Sequence, residues 1–484
     1  MSDKMIAKIG ETFFEIERRE DLYNWKIGNI YVWSVIRSRL FKILTRNSGV
    51  FNYATNRGIE LTDEMRTYRG RYPMKLLAWA IVGMPKRPRK GEPDYRNLKR
   101  FKAVIVPFAT RNEKLEDKFS KPVSDALGGD ALNLGVGTWD KITAAPRIDD
   151  FNGWMIKYFG LVGRVVVRMI LTKADYEKYR RVVAFLQSET GISLEPYDRF
   201  PRWTFSAFIA QRWGYRLLLS RTNAKVLFAV NAARFSLQSA AQDLGIRVVE
   251  IQSGVFSKYS LQFSWPSSPH VPYIPNEIWT WGEYWTDGIE HAAGQKVRVV
   301  GATAEFEAVR QSGIKRIPGQ VAFLSQPLIG ADILSHAVDF AAASPQSRVI
   351  FKLHPRNELA EFQEALDALG ANRPQNLELV HLERSSLELL AESEYSVGVF
   401  STALIEAAAL GSKVGIIKLA GWEHLENFID KGYALAVDNG RALAERLGEI
   451  PLPADPYFFY GHHQDLGQVA KEYLAELERE AAKA

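Results

Sequence analysis

"QVAFLSQPLIGADILSHAVDFAAASPQSRVIFKLHPRNE", residues 320–358, holds two short runs rich in β-branched and aromatic residues, with an amphipathic stretch between them. The spacing predicts a strand over 320–326, a helix over 333–343 and a strand over 348–353. The alternation then repeats. Helices are expected at 360–370, 386–393, 403–411 and 440–450, and strands at 377–382, 395–400, 413–419 and 433–438. Strands of about six residues joined by helices of about ten imply a parallel, doubly wound sheet. Gly411 stands where the helix over 403–411 would end.

Working backward, strand candidates appear at 101–112, 224–231 and 246–254, the last two joined by a helical segment over 234–245. A Pro- and Ser-rich loop over 264–277 leads to "IWTWGEYW" (278–285), and "RVVGATA" (298–304) reads as a crossing between domains. The first hundred residues read as helical, with Ile30, Val32, Trp33, Ile36, Leu40 and Ile43 at near-helical spacing. Three regions follow: a basic helical region over 1–100, an α/β domain over 101–300, and a second α/β domain over 301–484. A chain of 484 residues at 46% hydrophobic content suits such a division.

Composition excludes several functions. There is no cysteine, so disulfides, thiolate nucleophiles and cysteine-ligated zinc are ruled out. No G-x-x-x-x-G-K-[ST] loop, G-x-S-x-G elbow or His-Glu-x-x-His spacing occurs, and no metal site is expected. The N-terminus is too charged for a secretory signal, and no apolar run is long enough to span a bilayer, so a cytoplasmic protein is expected. Net charge is +6. Between Arg66 and Lys102 lie twelve Lys or Arg and two acidic residues, around the apolar run 74–84 and "KRPRK" (86–90). That region reads either as a core helix with a solvated linker or as a contact with an anionic membrane surface. No recognisable motif supports a nucleic-acid partner.

Ligands of doubly wound sheets bind beyond the carboxyl ends of the strands, where strand order reverses. With the order 3-2-1-4-5-6, the crevice in the second domain lies between the strands ending at Gln326 and Phe400. Three segments then converge: Ser325 and Gln326; Lys352, His354 and Arg356; Ser401 and Thr402. In an extended stretch Lys352, His354 and Arg356 would project the same way, forming a positive group. Ser401 and Thr402 would cap the next helix, whose free N–H groups suit an anion. Glu406, one turn on, would accept the hydroxyls of a ribose; the bland alternative is an N-cap and a solvated carboxylate.

"FKLHP" followed by "FSTALIEAAALGSKV" resembles the HP and S/T motifs of bacterial GT-B glycosyltransferases of capsule and surface-polysaccharide synthesis, among them sialyltransferase-like and Kdo-transferase-like enzymes. The match extends more distantly to teichoic acid glycerophosphotransferases. The resemblance implies a GT-B-like fold, two Rossmann-like domains facing a cleft, here with a helical N-terminal extension. It implies that His354 contacts donor phosphate or the transition state, that Ser401 and Thr402 bind phosphate, and that Glu406 contacts ribose. "VVEIQSGVF" with "PNEIWTWGEYW" is similar to a second segment of such proteins, "E-x-Q-H-G … P-x-x-x-x-x-W-G". This chain has Ser253 in place of the histidine, after Gln252, and no histidine precedes His270. The base is therefore expected to be a carboxylate, with Glu113, Asp117 and Glu250 the leading candidates, unless His270 or His291 reaches the cleft.

The expected activity is metal-independent transfer of a sugar from a CMP- or UDP-linked donor to a glycan or lipid-linked glycan acceptor, without a cofactor. The alternatives on the same scaffold are a nucleotide-sugar epimerase, a glycerophosphotransferase, or a binding protein that has lost its base.

Overall fold

A computed structural model describes residues 4–51, 98–107, 117–135, 147–148, 151–230, 234–266, 270–452 and 455–483. The basic segment 86–90 and its apolar neighbour 74–84 lie outside these residues, as does Glu113.

The chain opens with helices α1 (Met5–Glu20) and α2 (Val32–Asn47), separated by a hairpin that pairs Lys26–Ile27 with Ile30–Tyr31. The near-helical spacing begins at Ile30, but Ile30 lies in the hairpin and the helix starts at Val32. Both helices bury an apolar face through Ile6, Ile9, Phe13, Trp33, Ile36 and Leu40. A buried polar knot fixes them to the rest of the chain. The Arg37 guanidinium donates to the Glu17 carboxylate and to the carbonyls of Leu261 and Ser264. Tyr23 and Trp33 donate to the same carboxylate at 2.9 and 2.8 Å.

The first sheet contains β1 (Ala103–Val106), β2 (Ala131–Leu134), β3 (Arg147–Ile148), β4 (Val226–Val230), β5 (Arg247–Ile251), β6 (Glu277–Thr280) and β7 (Lys296–Val299). Every pairing is parallel, in the order β3-β2-β1-β4-β5-β6-β7. Its flanking helices include α3 (Lys121–Leu127) after β1, and three in succession between β3 and β4: α4 (Phe151–Ile170), α5 (Lys173–Thr190) and α6 (Arg202–Leu219). Neither β2 nor these three helices stands out in the sequence pattern.

The second sheet contains β8 (Ile317–Leu324), β9 (Arg348–Lys352), β10 (Leu377–Val380), β11 (Ser393–Gly398), β12 (Lys413–Ile417) and β13 (Ala434–Val437). Its order is β10-β9-β8-β11-β12-β13, again all parallel. The connecting helices include α7 (Gly330–Ala343), α8 (Leu359–Asp367), α9 (Ser386–Glu392) and α10 (Thr402–Ala409). Each strand or helix expected from 320 to 419 is present within a few residues. Buried Val, Ile and Phe along β8, β9 and β12 show why these runs read as apolar without alternation: helices cover both faces. Gly411 follows α10 with φ +83°, a conformation that disfavours a side chain.

These are two Rossmann-like domains, the second of 3-2-1-4-5-6 order and the first extending that order by a seventh strand, with a helical N-terminal extension, as the GT-B-like expectation required. The chain crosses between them twice. Tyr460, on the return, stacks between Trp281 and Phe306 at ring separations of 5.2 and 4.6 Å. The last helix, α11 (Leu466–Lys483), brings Tyr473 against Phe228 and Trp279 of the first sheet. A boundary at residue 300 thus assigns α11 by sequence to the second domain, while in space it lies on the first.

Candidate functional site at the edge of the second sheet

The order β9-β8-β11 sets three loops side by side, each strand about 4.8 Å from the next. Ser325 and Gln326 follow β8, His354 follows β9, and Ser401 and Thr402 follow β11. The predicted convergence of these segments is therefore present.

The loop after β9 is a closed turn. The Asn357 N–H donates to the His354 carbonyl at 2.8 Å, and the Asn357 Oδ1 accepts from the His354 N–H at 3.2 Å and the Ser325 hydroxyl at 2.9 Å. Asn357 thus ties the histidine to the neighbouring strand end. No local motif marks it, although an asparagine three residues after the histidine has the chemistry of a turn former. The Arg356 N–H donates to His354 Nδ1 at 3.1 Å, so the neutral ring carries its proton on Nε2. Burial, with the nearby Arg356 and His381, pushes the His354 pKa down to about 4. The ring is a neutral hydrogen-bond donor at pH 7.

Lys352 departs from the expected shared direction. It is buried, and its ammonium donates to the carbonyls of His381 and Arg384 in the loop beyond β10. The extended chain ends at Lys352, so strand alternation no longer relates it to His354 and the exposed Arg356. Gln326 is also held within the fold: its Oε1 accepts the Phe400 N–H at 3.2 Å and bridges the ends of β8 and β11.

Ser401 caps α10, its hydroxyl accepting the Ala403 N–H at 3.2 Å. Ser401, Thr402 and Ala403 are half-buried, leaving the helix start within reach of solvent. Glu406 lies one turn further along. Burial pushes its carboxyl up, opposed by the ammonium of Lys118 from the first domain and reinforced by Glu305. The buried Tyr460 hydroxyl beside it is held in its neutral form by burial and by the Glu406 charge. Glu406 therefore faces the junction of the two domains.

Across the junction, two of the expected carboxylates are buried. Asp117 is buried, and its carboxylate accepts the N–H groups of Phe119 and Ser120 at 2.9 and 3.2 Å and the Ser120 hydroxyl, capping the approach to α3. Glu250 is buried within β5, registered with Ala229 and Ile278. Gln252 straps the strand ends: its Oε1 accepts the Trp281 N–H at 3.0 Å and its Nε2 donates to the Gly254 carbonyl at 3.0 Å. Ser253 is half-buried in the loop after β5. The imidazole against this loop comes from elsewhere: His424 Nδ1 lies 2.8 Å from the Ser257 hydroxyl, with its ring 5.8 Å from Phe400. Burial pushes its pKa down to about 4. His270 packs on Tyr31, and His291 meets the Thr286 carbonyl.

Neither a protein-family model nor a curated protein sequence matches this chain. Solved structures do. The chain is similar to a UDP-GlcNAc 2-epimerase from Methanocaldococcus jannaschii, at 13% identity and TM-score 0.42, over 77% of this chain and 99% of the other. It is similar to AviGT4, a glycosyltransferase involved in avilamycin A biosynthesis, at 14% identity and TM-score 0.37, over 79% and 99%. It is also similar to the UDP-GlcNAc 2-epimerase from Neisseria meningitidis bound to UDP-GlcNAc, at 13% identity and TM-score 0.41, over 78% and 100%.

Proposed function

We propose that this protein is a nucleotide-sugar-dependent glycosyltransferase that extends a surface glycan. The donor diphosphate would lie along the edge of the second sheet, between the turn at His354 and the start of α10. The carrying observation is the state of His354: neutral, with Nδ1 occupied by a backbone N–H, so that only a donor at Nε2 remains. A fixed neutral donor two strands from a helix N-terminus suits a group that gains negative charge as the nucleotide departs. Ser401 and Thr402 would meet the phosphates, and Arg356 would add charge from the rim. Glu406, its carboxyl raised by burial, would meet the ribose.

The acceptor would enter from the first domain, past Ser253 and the Ser257–His424 contact. A UDP- or CMP-linked sugar is the expected donor.

The test is a thermal-shift screen of CMP, CDP, UDP, GDP and TDP, followed by product analysis with a UDP- or CMP-sugar and a lipid-linked or polysaccharide acceptor. A nucleotide present well above its Kd raises the melting temperature by mass action. One nucleotide should stabilise the wild type and leave His354→Ala and Thr402→Ala unshifted. No shift with any nucleotide would overturn the donor site. Product formed without acceptor, with inversion at C2 of the donor sugar, would replace transfer by epimerisation.

A further inference from the structure

We propose that the outer face of α4 seats this protein on an anionic lipid bilayer. The proposal goes beyond the transfer reaction and does not depend on it.

Large apolar side chains exposed to solvent are few among the described residues, and three of them fall on one helix. Val162, Val165 and Met169 are 47%, 55% and 78% exposed. At 100° per residue the three lie within about 60° of one another, a single stripe along α4. Arg164 and Arg168, both exposed, continue the same outward side over roughly the next 100°. The opposite side is fixed to the protein. Gly160, Gly163 and Val167 are buried, and at Gly163 a Cβ would come within 2.6 Å of the Ser206 carbonyl of α6. The glycine lets the helices touch there, so the apolar stripe is turned away from the fold and cannot rotate inward.

Charge selects the occupant. From 151 to 170 the sequence has no acidic residue and three cations, Lys157, Arg164 and Arg168. An apolar stripe flanked by cations matches the boundary between acyl chains and anionic headgroups. Each cation near such a surface strengthens binding about fivefold. No helix among the described residues is long and apolar enough to cross a membrane, so the contact would lie along the surface.

The full chain is to be tested by co-sedimentation with vesicles of phosphatidylglycerol and phosphatidylcholine, and with phosphatidylcholine alone. The wild type should bind the anionic vesicles at least tenfold more strongly than the neutral ones. Val165→Glu with Met169→Glu should weaken that binding at least tenfold, and Arg164→Glu with Arg168→Glu should remove the preference for anionic lipid. Both double variants should keep the wild-type melting temperature, because the substituted side chains are exposed. The nucleotide thermal shift is read in parallel: its failure with binding intact would count against the donor site alone. Equal binding to both vesicle types, or wild-type binding by the Val165/Met169 variant, would overturn the seat. So would a concentration-dependent dimer that this variant abolishes, since a second copy would then cover the stripe.

Discussion

If His354 acts as a neutral donor, its imidazole must stay unprotonated well below pH 7. Its folded pKa of about 4 lies some 2.5 units under the usual 6.5, for burial first and then the charges of Arg356 and His381. At pH 6 the ring would be about 1% protonated, against roughly three-quarters for an unperturbed histidine. The sign for stability follows from linkage. The unfolded chain takes up the proton first, so the contribution of His354 is complete above about pH 6.5 and is lost as the pH falls toward 4, reaching at most about 2 kcal/mol at pH 5. The assay is NMR titration of the histidine Cε1–H signals. The chain has eight histidines, and the resonance lost in His354→Gln assigns the one in question. A midpoint near 4 is expected. In Arg356→Ala it should rise only part of the way to 6.5, because burial is the larger cause and the bond to Nδ1 comes from the backbone. Nucleotide affinity should show no step between pH 6 and 7 that His354→Gln removes. A midpoint between 6 and 7 for the assigned resonance would refute the neutral-donor state and with it the proposed phosphate contact.

Asn357→Ala would leave the buried Ser325 hydroxyl and the His354 N–H without their acceptor, a loss of about 1–3 kcal/mol for an unsatisfied buried group. In a differential scanning assay it should lower the melting temperature and weaken the nucleotide shift, whereas Ser325→Ala in the same background should add little further loss. Arg37→Met would strand the Glu17 carboxylate, which is as buried as its partner, and should cost about 3–5 kcal/mol. The double change Glu17→Met with Arg37→Met should cost less than Arg37→Met alone, as chemical denaturation would report.

What the sequence made legible follows the range of the physics involved. The second sheet could be read because a buried parallel strand and its crossover helix are encoded locally, in runs of six and ten residues. Its order then placed Ser325, His354 and Ser401 at one edge without any knowledge of side-chain contacts. The first domain resisted because α4, α5 and α6 interrupt the alternation and β2 is four residues long. Lys352 was misdirected for a definite reason: alternation holds only while the chain is extended, and the turn closed by Asn357 begins one residue after the strand.

The motif histidine that Ser253 replaces illustrates the opposite limit. His424 reaches Ser257 across 167 residues of sequence, through the loop after β12. No periodicity or local motif relates the two positions. They meet because the second sheet carries its loops on the edge that faces the first domain, which also brings the Glu423 carboxylate to the Ile6 N–H at the start of α1. A doubly wound sheet therefore gathers polar groups at one edge from several loops at once, and the partner domain decides which of them meet. A serine at position 253 is compatible with an equipped cleft on this account, because an imidazole need not come from the same domain as the strand it faces.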